Sequence, residues 1–200
     1  MNSNKLPYAR IEPILTPKLL TKQTSEQRFW KKYSPCFLES SAKGMVSTIA
    51  SSDNDLGLMI FGQGRSVNIV EPSKQSIVRT LTHFDSAVTA IAIRKDGKIM
   101  GIAEETGKIE VIDTKEKFHL RNFKNHKKRV NALDYCDNDL YSGGEDMILR
   151  LFDVASGMVV HSYENAHDDY IKCVRGLENN NILSGGYDGK IKLFDFRVHE

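Results

Sequence analysis

Histidine, aspartate and serine recur in this chain at fixed offsets, and these are the residue types that nucleophilic catalysis, proton transfer and metal ligation draw on. His126 stands four residues before Val130, and His167 stands four before Ile171. Asp146 and Asp188 each precede a second acid, Asp153 and Asp195, by seven residues. Ser142 and Ser184 each open a Ser-Gly-Gly. As chemistry the pattern is incomplete. Neither serine sits in a G-x-S-x-G elbow, and neither glycine pair leads into the Lys-Ser/Thr and helix of a phosphate loop. Neither histidine has a second His or Cys at ligand spacing, which disfavours a metal. Cys36, Cys136 and Cys173 are isolated and odd in number, as free thiols in a reducing compartment would be. The paired acids Glu104-Glu105 and Asp168-Asp169 read as solvated turns. No catalytic, cofactor-binding or metal-binding residue is assigned, and no enzymatic activity is expected.

A chain of 200 residues with 40% apolar content can bury a substantial core. Its formal charge of +2 sets up no global field that demands a polyanionic partner. The first thirty residues lack an apolar h-region, and no run approaches a membrane span, so a soluble intracellular chain is expected.

What must position the recurring residues is a repeat. Four apolar runs close on an acid, at Glu71, Asp113, Asp153 and Asp195, which fall 42, 40 and 42 residues apart. That period is the length of one four-stranded propeller blade, about 40–45 residues. Short β runs broken by Lys95-Asp96-Gly97-Lys98, Thr106-Gly107, Ser156-Gly157 and Asp188-Gly189 fit an all-β assembly of hairpins. The reading is three full blades over 43–83, 84–126 and 127–167, and an incomplete fourth over 168–200. The last edge stays open unless further chain or a partner completes it. The Gly-Gly pairs are expected to permit close strand approach and positive φ. Cys173 aligns with Ala90 and Ala132 and is expected to be a small buried residue. Residues 1–42 form an N-terminal arm, extended where Pro7, Pro13 and Pro17 punctuate it. Thr24 with Gln27 resembles a capping box, and Phe29 with Tyr33 is an i, i+4 pair, so a short helix is predicted near 25–33, ended by Ser34-Pro35.

The repeats resemble those of WD-repeat propellers. That resemblance implies a buried hydrogen-bonded tetrad of His, turn Asp, strand Ser and strand Trp in each blade. It falls on His126, Ser142, Asp146 and Phe152, and on His167, Ser184, Asp188 and Phe194. Phe replaces Trp in both copies, so the ring packs without donating. The second blade has Thr106 and Ile112 at the Asp and Trp positions, and the first has Gly64 and Val70. Those two blades are expected to rely on apolar packing.

Outside the repeats, Leu15-Thr16-Pro17 and Glu26-Gln27-Arg28-Phe29-Trp30-Lys31-Lys32-Tyr33-Ser34-Pro35 resemble the lead-in of a WD-repeat family of the small-subunit processome, that of U-three small nucleolar RNA-associated protein fifteen. The family has a seven-bladed propeller and a helical C-terminal domain. The resemblance implies a non-enzymatic nucleolar scaffold, without cofactor or small-molecule substrate, in a large pre-ribosomal complex of WD-repeat and helical proteins. Pre-ribosomal or small nucleolar RNA is a further expected partner, and no membrane is. The alternative is a WD-repeat adaptor in a cytoplasmic or chromatin complex without RNA. Contacts are expected from Arg28, Phe29, Trp30, Lys31, Lys32 and Tyr33, whose aromatics either stack on bases or pin the arm to protein. The second candidate is Lys127-Lys128-Arg129, three cations whose nearest acids along the chain, Asp134 and Asp137, lie beyond a strand.

Overall fold

In this computed structural model the described residues are 24–32, 38, 40, 43–52, 57–116, 118–177 and 181–196. They fall in two units divided after Phe37. In the first, α1 (Ser25–Trp30) begins with the Arg28 amide donating to the Thr24 carbonyl at 3.0 Å, and Lys31 and Lys32 follow as a turn. The extended arm over 1–23, Tyr33 and the Ser34-Pro35 stop lie outside the described residues. No helix among the described residues is long and apolar enough to cross a membrane.

The second unit is built of four antiparallel sheets. Sheet one holds β1 (Val46–Ser51), β2 (Met59–Gln63), β3 (Ser66–Glu71) and β4 (Ser76–Leu81). Sheet two holds β5 (Val88–Ile93), β6 (Ile99–Glu104), β7 (Ile109–Asp113) and β8 (His119–Phe123). Sheet three holds β9 (Val130–Cys136), β10 (Asp139–Gly144), β11 (Leu149–Asp153) and β12 (Met158–Tyr163). The fourth has three strands, β13 (Ile171–Gly176), β14 (Asn181–Gly186) and β15 (Ile191–Asp195). Each is a meander of neighbouring strands, the blade arrangement that the period predicts, and we call the sheets blades one to four.

Two local features shape each blade. Gly97, Gly107, Gly157 and Gly189 take φ of +70°, +88°, +76° and +71° in their turns, a region that L side chains avoid. A register shift also recurs near the start of each inner strand, between Val46 and Thr48, Val88 and Ala90, and Ile171 and Cys173. Such bulges sharpen the strand twist. The Gly-Gly pairs work differently from expectation. Gly143, Gly144, Gly185 and Gly186 are strand residues without positive φ, and their role is close approach alone. A Cβ on Gly143 would stand 2.5 Å from Ile171 Cγ2, and one on Gly144 would stand 2.4 Å from the Arg129 carbonyl oxygen.

The core consists of seams between blades. Ile60, Val67, Ile69 and Leu81 of blade one pack on Val88, Ile91, Met100, Ile102 and Ile112 of blade two, with Phe84 between them. Ala90, Ala103, Ile109, Val111 and Phe123 meet Val130, Leu133, Leu140 and Phe152 of blade three. Tyr141, Leu149 and Leu151 meet Ile171, Val174 and Ile182 of blade four. Alternate residues of a strand thus serve two seams, so a one-residue slip would move every apolar side chain to the wrong seam. Cys173 departs from expectation. It is exposed, whereas its counterparts Ala90 and Ala132 are buried, because no described sheet covers that face of blade four. Ile191 and Leu193 are exposed for the same reason.

Candidate functional site

The recurring histidines, acids and serines converge in blades three and four. In blade three the His126 ring is buried, with Nδ1 2.9 Å from Asp146 Oδ2 and Nε2 2.5 Å from Ser142 Oγ. Asp146 sits in the turn after β10, His126 in the connection entering β9, and Ser142 on β10. Blade four repeats this, with His167 Nδ1 3.0 Å from Asp188 Oδ1 and Nε2 2.6 Å from Ser184 Oγ. Phe152 and Phe194 stand apart from these bonds. Phe152 is buried, with its centroid 4.5 Å from Phe123 and 6.5 Å from His126, and Phe194 packs on Tyr163 at 5.0 Å.

Protonation in blade three follows from the partners. Burial disfavours charge on Asp146, but the His126 bond and Arg150 override it and hold the carboxyl at about 2. An ionised Asp146 only accepts, so Nδ1 carries the ring proton and Nε2 accepts from the Ser142 hydroxyl. Burial pushes His126 below its ordinary value. Arg150 Nη1, 2.7 Å from Asp146 Oδ2, also lies 2.6 Å from Nδ1, which disfavours a second positive charge there. The constellation has the connectivity of a Ser-His-Asp triad. Ser142 is 0% exposed, however, so no substrate can reach its hydroxyl, and the bonds fasten a connection to a turn.

Blade two holds its connection with other residues. Phe84 occupies the His position and is buried, and Thr106 occupies the Asp position. Glu104, expected in a solvated turn, is instead 0% exposed at the end of β6. Its Oε2 accepts from the Ser86 amide at 2.7 Å and the Ser86 hydroxyl at 3.2 Å. Lys108 Nζ reaches Glu110 Oε1 at 2.5 Å, Asp85 Oδ2 at 3.2 Å and Glu104 Oε1 at 3.4 Å. Burial opposes charge on Glu110, yet Lys108 and His83 keep its carboxyl below the ordinary range. The expectation that blade two relies on apolar packing is therefore corrected. The sequence signal was a charged residue, Glu110, at a middle-strand position where Arg150 and Lys192 also stand.

A second repeat also escaped the sequence reading. Ser47 Oγ donates to the Val88 carbonyl at 2.6 Å, Thr89 Oγ1 to the Val130 carbonyl at 2.6 Å, and Asn131 Nδ2 to the Ile171 carbonyl at 3.0 Å. Each joins one inner strand to the next, and the three donors stand 42 residues apart.

The basic run lies in the connection between β8 and β9. Lys127 and Lys128 are exposed and Arg129 is half-buried. Lys128 Nζ lies 5.8 Å from the Tyr170 ring centroid. None of the three makes an ion pair among the described residues. The corresponding positions of blades two and four carry acids paired with lysines, Asp85 with Lys108 and Asp168 with Lys190. Blade three has Lys127 and Ile148 there, which reverses the local charge. In α1, Arg28 and Phe29 are exposed, as are Lys31 and Lys32 after it, while the Trp30 side chain lies outside the described residues.

The family of the anaphase-promoting complex subunit 4 WD40 domain matches residues 51–138, and the WD domain, G-beta repeat, matches residues 157–195. The U3 small nucleolar RNA-associated protein 15 homolog of Xenopus tropicalis is 29% identical over 186 residues, covering 91% of this chain and 36% of that protein. The U3 small nucleolar RNA-associated protein 15 of Saccharomyces cerevisiae is 23% identical over 194 residues, 94% of this chain and 38% of that protein. Among solved structures, U3-55K superposes with a TM-score of 0.74 at 17% identity, over 79% of this chain and 51% of that chain. The chain thus spans little more than a third of these relatives' length. Its sheets have the fold of WD-repeat propeller blades, and the chain resembles the U3 small nucleolar RNA-associated protein 15 proteins along most of its length.

Proposed function

We propose that this chain is part of a non-catalytic scaffold for ribosome biogenesis that works in the nucleolus within a U3-containing pre-ribosomal complex. The observation that carries the reading is the match over 91% of the chain to a relative named for its association with U3 small nucleolar RNA. Burial of both serine–histidine pairs supports the non-catalytic part, since neither hydroxyl can meet a substrate. The finer reading is support for processing of the pre-18S ribosomal RNA and for ribosomal DNA transcription. Its partners are WD-repeat and helical proteins, and RNA is met at Lys127 and Lys128. A solvated cation run explains those lysines equally on composition. The charge reversal relative to blades two and four favours an acidic partner.

The test is expression of the tagged protein in cells, with imaging and sequencing of co-purified RNA. Nucleolar enrichment with U3 small nucleolar RNA and pre-ribosomal RNA is expected. A second reading, an adaptor in a cytoplasmic or chromatin complex, draws on the anaphase-promoting complex subunit 4 match over residues 51–138. Nucleolar exclusion with only protein partners recovered would establish that reading and sink the first.

A further inference from the structure

Three side chains of blade two and its entering connection form an arrangement that neither the fold nor the scaffold reading requires. His83 comes from the β4–β5 connection, Glu110 from β7 and His119 from β8. His83 Nε2 lies 3.0 Å from Glu110 Oε2, and His119 Nδ1 lies 3.2 Å from the same oxygen. The three donor atoms all fall within 4.8 Å of one another. We propose that His83, Glu110 and His119 form a binding site for a divalent transition metal of the zinc class, which ties the β4–β5 connection to the outer half of blade two.

The donor set and its spacing argue for such a metal. Two imidazole nitrogens and one carboxylate oxygen suit zinc, whereas magnesium and calcium prefer oxygen alone. With metal–ligand bonds near 2.0–2.1 Å, a tetrahedral site places its donors about 3.3 Å apart. The two distances to Glu110 are already close to that edge. The histidine rings meet edge to face, 4.6 Å between centroids at 77°, so both can aim a nitrogen at one point. Glu110 is the fixed member. It is 2% exposed, and Lys108 holds its Oε1 at 2.5 Å, which leaves Oε2 for the metal and supplies the outer contact that orients a ligating carboxylate. The side chains of His83 and His119 are 37% and 46% exposed, so an ion has a path in and a water can complete the fourth position.

Charge supplies a second argument. Asp85, Glu104 and Glu110 all lie within 3.4 Å of Lys108 Nζ, three carboxylates around one ammonium. The group carries a formal excess of two negative charges with both histidines neutral, and one divalent ion cancels it. Without metal the geometry is that of two imidazoles sharing one carboxylate oxygen, each through an N–H. Metal binding needs each neutral ring in its other tautomer, with the proton moved to His83 Nδ1 and to His119 Nε2, so the two arrangements are separable by experiment.

The chain, stripped with a chelator and desalted, is titrated with Zn2+ by calorimetry and with Co2+ by visible absorption. One equivalent of Zn2+ should bind and raise the melting temperature, and Co2+ should give the absorption bands of a four-coordinate ion. His83→Gln and His119→Gln should each weaken Zn2+ binding by at least about tenfold and abolish the melting shift, because a lost ligand costs no less than a lost outer contact. Both side chains are partly exposed, so the metal-free melting temperature of each variant should stay near that of the parent and show that it folds. Absence of stoichiometric binding would overturn the proposal. So would binding that survives both substitutions, or X-ray absorption showing sulfur ligands, which would place the metal on cysteine instead.

Discussion

Blades two and three fasten their incoming connections from different positions at the same turn of the hairpin. In blade three Asp146, in the turn, grips His126, and Arg150 reads the same carboxylate from β11. In blade two the ring at that place is Phe84, which bonds to nothing polar, and the anchor moves two residues back, from the turn to Glu104 at the end of β6, which takes the Ser86 amide. Room explains the exchange. The position of Glu104 is Gly144 in blade three and Gly186 in blade four, and a Cβ on Gly186 would stand 2.7 Å from His167 Nδ1. In blade four the buried imidazole therefore demands glycine beside it, and in blade three the Arg129 carbonyl does, while in blade two that place holds the Glu104 side chain. The backbone is shared between the blades, and the polar chemistry that clamps it is exchangeable.

The strongest way to break this comparison is Asp146→Ala. It strands the buried His126 donor and the Arg150 guanidinium together, and should cost roughly 2–4 kcal/mol in urea unfolding. Thr106→Ala, at the equivalent exposed position of blade two, should stay within about 0.5 kcal/mol. Equal losses would show that the blades are not differentiated. The same acid gives a pH signature. Its folded value of about 2 lies below the unfolded value, so its contribution is full above about pH 4–5 and is lost as pH falls toward 2. That amounts to roughly 2–3 kcal/mol, since the unfolded value is near 3.9. His126 is also depressed, so its contribution is present above its ordinary value near 6.5 and is lost as pH falls below it. Both effects run the same way. The urea midpoint should fall less between pH 8 and 3 in a His126→Gln, Asp146→Asn double variant than in the parent.

Glu104→Ala comes next, at about 1–3 kcal/mol, because the half-buried Ser86 amide loses its acceptor and Lys108 loses one of its carboxylates. A loss under about 0.5 kcal/mol would mean that blade two relies on apolar packing after all. Smaller and opposite in sign is Met147→Gly. Met147 takes φ +63° where blades two and four place Gly107 and Gly189, so glycine should relieve left-handed strain and raise stability by roughly 0.5–1 kcal/mol. The smallest effect on stability belongs to Lys127→Gln with Lys128→Gln, within about 0.5 kcal/mol. Its readout is binding to pre-ribosomal RNA, where each lost phosphate contact should flatten the salt dependence by about one unit of slope. An unchanged slope would return the run to ordinary solvated surface.

The architecture was legible because it repeats. Closing acids 42, 40 and 42 residues apart, with glycine at the turns, specify antiparallel four-stranded units through local geometry and alternation alone. The residues of the two histidine networks could be named through the resemblance to WD repeats, because the offsets shared with those repeats become fixed places in a hairpin. What sequence could not supply was the content of the positions where the repeat fails. Glu104 looked like a turn acid because its burial depends on Ser86 and Lys108 arriving from other strands. His83 and His119 are 36 residues apart and follow no motif, and only the passage of the β4–β5 connection brings both rings to Glu110. Cys173 aligns with buried alanines, yet its exposure is decided by whether a sheet covers that face. Strand order, turns and repeat register follow from local rules that the chain carries in its own spacing. Burial, charge pairing and side-chain convergence are properties of the seams, and those exist only once the blades have packed.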